Sequence, residues 1–264
     1  MTSWARPAFA FPSSSSSSSS FDPSSPLSVS PAETALLVID YQNLSMARLG
    51  DAGPSVVKIA SQMHDWALQR GMSVFHCLID TAPGVRPPAW SKLAGKWKMF
   101  YQEKLAKEAW LGWEVEGLAP KDDGGETGKD TVMSNISGRA GGGPGSGPRI
   151  APFDAGGVGV AMGNINKPGI FEHAEAQTQA QARDREITVL RQPGLSLILC
   201  GITTSGTVLS TARAATDRGF IVTVVEDACF DLVPGLHAML VTHVLPTTAH
   251  VATSGEIRDA WKVL

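Results

Sequence analysis

The sequence predicts an α/β fold: a doubly wound, mainly parallel open sheet with helices on both faces. Two observations carry this prediction. Short apolar runs that end in polar turns alternate along the chain with stretches of helical apolar spacing. One stretch, Leu195 to Asp227, reads as a complete strand–helix–strand unit, and such units build parallel sheets with right-handed crossovers.

In that central unit, Leu195 to Cys200 is uniformly apolar, as a strand buried on both faces must be. Gly201 ends the run and a small polar turn, Thr203-Thr204-Ser205-Gly206, follows. From Thr207 the apolar residues Val208, Leu209, Ala212 and Ala215 fall at helical spacing, and Gly219 closes the helix as a C-terminal cap. Phe220 to Val225 is the second strand, ended by Glu226-Asp227. Ligands of open parallel sheets bind at the carboxyl ends of strands, so the turn from Thr203 to Thr207 lies where chemistry is expected, with amides at a helix N-terminus.

The remaining elements follow in order. Residues 1 to about 31 hold an unbroken serine run, Ser13 to Ser20, between prolines, a composition that buries too little apolar area to order the chain. Thr34 to Asp40 (TALLVID) is the first strand; the carboxylate at its end is either a loop-organising group or part of an active site. A helix spans roughly Ser55 to Gln69, with Val56, Ile59, Ala60, Met63 and Ala67 on one face and Gly71 as its stop. Ser73 to Ile79 is the second strand, again followed by a carboxylate, Asp80; His76 within it reads as a hydrogen-bonded histidine rather than a ligand. Thr81 to Trp113 is loop and helix. Its Trp90, Trp97, Phe100, Tyr101 and Trp110 suit packing onto the sheet, or a pocket mouth or subunit interface. Thr131 to Met133 is a third strand, Ile170 to Leu190 a polar helix, Val233 to Leu245 another helix and Ala249 to Val251 an edge strand. Thr253 and Glu256 then form a capping box that opens the last helix.

The domain therefore runs from 32 to 264, interrupted at about 121–166 by a glycine-rich insertion. Between Gly124 and Gly163 lie 13 of the chain's 27 glycines. Such a stretch is too long for an ordinary loop. Residues 120 to 187 have the character of retained or mis-joined coding sequence, or of a lid. Two nucleotide-binding patterns in this region both fail. GGETGKD has Asp123 at the first glycine position and Asp130 where Ser or Thr must meet magnesium; GVGVAMG has Met162 at its third glycine position.

The net charge of −3 gives no reason to expect nucleic acid or an anionic membrane as partner. Three cysteines, Cys77, Cys200 and Cys229, lie in or beside apolar runs, so a disulfide framework is not expected and a reducing, cytoplasmic setting is. The Ser-rich, acid-poor N-terminus leaves a mitochondrial transit peptide as the alternative.

TALLVIDYQ, FHCLIDT and the block LILCGITTSGTVLSTARAATDRGFIVTVVEDACFD resemble the isochorismatase-like (cysteine hydrolase) superfamily over residues 33 to about 118 and 187 to 264. The resemblance implies a Rossmann-like doubly wound sheet assembled as a homodimer or homotetramer, and a hydrolase of a small amide, imide or vinyl ether. Its hydrolases use an Asp at the end of the first strand, a Lys, and a Cys opening a helix. Asp40 matches the Asp, and Thr207 stands where the nucleophilic Cys belongs. Lys167, in KPGI, is the expected lysine; Arg139, with Ser134 or Asn135 in the lysine's place, is the alternative, as is no equivalent at all. Thr203, Thr204, Ser205 and Gly206 with Thr207 would supply the oxyanion amides, Ser205 also capping the helix. Metal-binding relatives carry Asp-x-His after the second strand; here Asp80 is followed by Thr81-Ala82-Pro83, so no metal and no cofactor are expected.

The substitution at 207 matters chemically. A helix N-terminus and a nearby lysine can make a thiolate near neutral pH, but an alcohol starts several pH units higher. Thr207 could attack only with concerted removal of its proton, as Asp40 or a lysine could supply. Two functions stay open at this point: a hydrolase with an altered nucleophile, and an inactive relative that binds a small molecule or acts as a scaffold.

Overall fold

The computed structural model describes residues 24–79, 103–120, 130–134 and 196–262, with residues 92, 94, 95 and 98. Six strands form one sheet in the order β3-β2-β1-β4-β5-β6. They are β1 (Thr34–Ile39), β2 (Ser73–Leu78), β3 (Asp130–Ser134), β4 (Ser196–Ile202), β5 (Ile221–Phe230) and β6 (His250–Ala252). Among the described residues every pairing of these strands is parallel, in keeping with the mainly parallel sheet expected. The order reverses between β1 and β4, the position at which such sheets open a crevice.

Four main helices cover the sheet: α1 (Gly53–Gln69), α2 (Leu209–Asp217), α3 (Leu236–Met239) and α4 (Ser254–Ala260). Wider π-turns extend two of them, Thr204–Val208 leading into α2 and Leu240–Val244 continuing α3. The alternation of side chains along each strand divides the core into two layers. Leu36, Val38, Val74, Ile198 and Cys200 face α1 and α4, packing with Ala60, Met63, Ala67, Ile257 and Trp261. Leu37, Ile39, Cys77, Leu197 and Leu199 face the other way, onto Val208, Ala212, Ala215, Val241 and Leu245. Both faces are thus covered, which is why β1 and β4 read as unbroken apolar runs.

Local chemistry sets the element ends. Gly219 (φ 87°) and Gly71 (φ 76°) both take the left-handed conformation that stops a helix. Gly71 and Met72 return their amides to the carbonyls of Leu68 and Ala67. Thr253 and Glu256 make the reciprocal capping box expected for α4. The helix expected from Val233 begins at Leu236, because Gly235 (φ 76°) turns the chain first.

β5 is longer than expected. Its pairing with β4 slips between Leu199↔Val224 and Gly201↔Cys229, so residues around Glu226 and Asp227 bulge out and the strand resumes to Phe230. Cys229, expected beyond the strand, therefore lies within it. Asp227 is not idle in the bulge: it accepts from the amide and hydroxyl of Ser254 at the start of α4, both at 2.7 Å.

Residues 24 to 31, within the span expected to be disordered, form 3-10 turns at Pro26–Ser28 and Pro31–Glu33, with Val29 buried. Trp110 and Trp113 are 49% and 67% exposed, so neither packs onto the sheet. Trp90, Trp97, Phe100 and Tyr101, the helix at 170–190 and most of the glycine-rich stretch lie outside the described residues. No helix among the described residues is long and apolar enough to cross a membrane.

Candidate active site

The site is built where β1 and β4 end side by side. Asp40 follows the last residue of β1 and adopts φ 59°, a left-handed conformation that is costly for a residue with a side chain. Its amide still donates to the Cys77 carbonyl of β2 at 2.9 Å, so the strand pairing carries through the turn. The next two residues clamp that geometry. The Tyr41 hydroxyl, fully buried, donates to the Ala228 carbonyl in the bulge of β5. Gln42 donates to the carbonyls of Ile79 (2.9 Å) and Gly112 (2.7 Å) and accepts from the Ile79 amide (3.0 Å).

On the other side, β4 closes on Gly201 because nothing larger fits. A Cβ there would stand 2.9 Å from Val208 Cγ2 and 3.1 Å from Ile39 Cβ. The Ile202–Thr203 peptide is cis, and the turn then enters the π-turn and α2. Thr207 is 4% exposed, and its hydroxyl donates to Asp40 Oδ2 at 2.6 Å. The structure thus brings together Asp40 and Thr207, two of the expected site residues. Lys167 and its alternative Arg139 lie outside the described residues, as does Asp80.

The Asp40 carboxyl is 2% exposed, and burial pushes its pKa up to about 7; the hydrogen bond from Thr207 opposes that rise. Its Oδ1 has no hydrogen-bond partner among the described residues. A carboxyl that titrates near neutrality, bonded to a hydroxyl and with its second oxygen unsatisfied, is suited to exchange protons with a bound molecule.

The turn differs from expectation in one respect. Thr203, not Ser205, is the N-cap, and its side chain makes no capping bond. Instead the carboxylate of Asp231, at the end of β5, accepts from the Ser205 amide at 2.7 Å and from the Val233 amide at 3.1 Å. The amides of Gly206 and Val208 both turn to the Thr203 carbonyl, at 3.2 and 3.3 Å. At the rim, Thr204 Oγ1 is hydrogen-bonded to His237 Nδ1 at 2.8 Å, and the His237 ring stacks on Phe230 with centroids 6.4 Å apart. Burial lowers the His237 pKa from its ordinary value, against the opposing charges of Glu226 and Asp231.

Reading the sequence did not identify Asp231, His237 or Gln42. Asp231 obeys the rule that singled out Asp40, a carboxylate at a strand's carboxyl end, and was hidden by the early end assigned to β5. His237 and Gln42 carry no local signal.

All three cysteines are buried and unpaired. Burial raises each thiol, with Cys229 pushed up to about 12. None of them offers an accessible thiol.

Residues 169–256, a third of the chain, match the family model for the isochorismatase domain. An uncharacterised isochorismatase family protein of Escherichia coli O157:H7 is 36% identical over 77 residues, which are 29% of this chain and 41% of that protein. Among solved structures, a cysteine hydrolase from Pseudomonas syringae pv. phaseolicola aligns over 89% of this chain and 95% of its own, with a TM-score of 0.58 at 16% identity. An isochorismatase-like hydrolase from Alkaliphilus metalliredigens aligns over 88% and 99%, with a TM-score of 0.51 at 15% identity. An isochorismatase family protein from Desulfovibrio vulgaris gives the same coverage, score and identity. At these identities the structural matches show the fold alone, and the similarity in sequence to the isochorismatase domain covers residues 169–256.

Proposed function

We propose, from the fold and from the match of residues 169–256 to the isochorismatase domain, that this protein hydrolyses a small amide, imide or vinyl ether with Thr207 in place of the cysteine nucleophile. The observation that carries the reading is the 2.6 Å hydrogen bond from the Thr207 hydroxyl to Asp40 Oδ2, between two buried side chains. An alcohol needs a base in contact to attack, and here a base is in contact.

In an amide or imide, Asp40 takes the hydroxyl proton as Thr207 Oγ1 attacks the carbonyl carbon. The oxyanion is held by backbone amides of the turn. Those of Ser205, Gly206 and Val208 have other acceptors, which leaves Thr203, Thr204 and Thr207 as the candidates. Asp40 returns its proton to the leaving nitrogen, and an ester to Thr207 remains. Water, deprotonated by Asp40, then releases the acid and restores the hydroxyl. In a vinyl ether, protonated Asp40 instead donates to the alkene carbon, and water held by Thr207 adds to the resulting oxocarbenium carbon and returns a proton to Asp40. The hemiketal then breaks its C–O bond to leave a carbonyl compound and an alcohol. Lys167 is the proposed electrostatic partner that holds Asp40 ionised. In a second route a water bound to Thr207 attacks in place of its hydroxyl, again with Asp40 as the base.

The test is an assay of the purified chain on a panel of small amides, imides and vinyl ethers, beside Thr207→Cys and Asp40→Ala. Turnover by the wild type that disappears in Asp40→Ala supports the reading and excludes a purely binding role. No turnover by the wild type, with turnover gained in Thr207→Cys, would show that this chain keeps the pocket and has lost the chemistry.

A further inference from the structure

A second cluster of ionisable groups lies away from Asp40 and Thr207, on the α1 face of the sheet. His64 projects from α1, His76 from β2, and Asp130 opens β3. His64 Nε2 lies 3.1 Å from Asp130 Oδ2, and His76 Nε2 lies 2.7 Å from Asp130 Oδ1. The other nitrogen of each ring is held by a further carboxylate: His76 Nδ1 by Glu114 Oε1 at 2.9 Å, and His64 Nδ1 by Asp65 Oδ1 at 3.1 Å. The side chains of His64, His76, Glu114 and Asp130 are 1%, 0%, 5% and 3% exposed.

Three features distinguish this cluster from an ordinary buried ion pair. Its donor atoms, two imidazole nitrogens and a carboxylate oxygen, lie within 4.8 Å of one another although they come from three separate elements. Each histidine is oriented through Nδ1 by a carboxylate, the outer-shell arrangement that fixes the tautomer and basicity of metal-bound imidazoles. Finally, the carboxylates outnumber the imidazoles, and Glu114 Oε2 is buried with no partner among the described residues. A buried carboxylate oxygen left without a partner is costly.

We propose that His64, His76 and Asp130 bind a divalent transition-metal ion of the zinc class, with Glu114 and Asp65 orienting the two imidazoles. Two imidazoles and a carboxylate suit Zn2+, Co2+, Ni2+ and Fe2+ rather than the all-oxygen shells of Mg2+ and Ca2+. The ion takes the place of the hydrogen bonds that now join the Nε2 atoms to Asp130. The site is distinct from the stretch after β2, Asp80 to Pro83, on which the expectation of no metal rested. Its role is to clamp the sheet edge: among the described strands β3 pairs with β2, and the ion would strengthen the tie between its first residue and α1.

The experiment is titration of the untagged, chelator-treated full chain with Co2+, followed by its visible d–d absorption, and with Zn2+, followed by the ring 15N resonances. The expected result is one ion per chain, a spectrum of mixed nitrogen and oxygen coordination, and shifts confined to two buried histidines. His64→Gln and Asp130→Asn should remove the band, Glu114→Gln should weaken binding about 10-fold or more, and His243→Gln or His250→Gln should leave it unchanged. The proposal is overturned if the wild type takes up neither ion stoichiometrically. It is equally overturned if uptake survives in His64→Gln and Asp130→Asn, or if Zn2+ moves only the resonances of exposed histidines. The resonance experiment needs no variant, so poor folding of a substituted chain does not blunt it.

Discussion

Thr207 Oγ1 and Asp40 Oδ2, 167 positions apart in the chain, meet at 2.6 Å where two adjacent parallel strands end. A strand end fixes one partner and a helix start the other, so neither depends on a long loop for its position. The strength of the contact also ties the two residues' chemistry together: whatever charges Asp40 alters the reactivity of Thr207.

Substitutions at Thr207 should separate nucleophile from bystander. Thr207→Ser keeps the hydroxyl and removes the methyl, and should retain activity within about 10-fold. Thr207→Ala removes the attacking oxygen and should cost on the order of 100-fold or more in kcat. Steady-state kinetics on the best panel substrate checks both. Equal activity in Thr207→Ala and wild type would remove Thr207 from the chemistry.

Asp40 makes stability and activity run in opposite directions with pH. Its folded pKa, about 7, lies above its ordinary value of 3.8, so between these values the folded chain holds a proton that the unfolded chain has released. This contribution to stability is fully present below about pH 4 and is lost as pH rises through about 7. The difference is worth about 4 kcal/mol. Asp40→Asn should therefore be inactive, more stable than wild type at pH 8, and no more stable at pH 4, as read from urea midpoints.

The rate should rise with pH as Asp40 ionises. A lysine seated beside it would favour the charged form and bring the midpoint of kcat/KM below 7. Lys167→Ala should then lower the rate and move the midpoint upward. An unmoved midpoint would exclude Lys167 as the electrostatic partner and turn attention to Arg139.

Gly201 should tolerate no side chain. Gly201→Ala forces Val208 and Ile39 apart and should cost about 1–3 kcal/mol. Since Val208 follows Thr207, kcat should fall as well. Gly255→Ala, where a Cβ comes no closer than 3.9 Å to a neighbour, serves as the matched control. Thermal unfolding of the two variants provides the comparison.

Gln42→Leu should be among the more damaging single changes. It strands two buried carbonyls and one amide that Gln42 now satisfies, at a cost of about 3 kcal/mol. The urea midpoint should drop at constant slope.

The fold was legible because burial on both faces writes itself locally: TALLVI and SLILCGI are apolar at every position that matters, and Gly71 and Gly219 mark helix stops by their backbone freedom alone. The end of β5 was not legible, because the bulge places charged residues inside the strand and mimics its termination. Asp40 was readable as a candidate from its place at a strand end, and Thr207 from its frame. Their contact was not, since it depends on β1 and β4 being neighbours. The cluster around His76 was harder still. Its partners Glu114 and Asp130 are 38 and 54 positions away and have no shared pattern. A histidine's surroundings are a property of the packed sheet, not of the strand that carries it.

The burial of Cys77, Cys200 and Cys229 has a practical reach beyond catalysis. With every native thiol shielded and held protonated, the folded chain should resist alkylating and mildly oxidising reagents that disable thiol enzymes. A cysteine introduced at position 207 would then be the one sulfur a small electrophile from the pocket could mark. A single mass increment on the variant, absent from the native chain, would report whether position 207 is open to a molecule of substrate size.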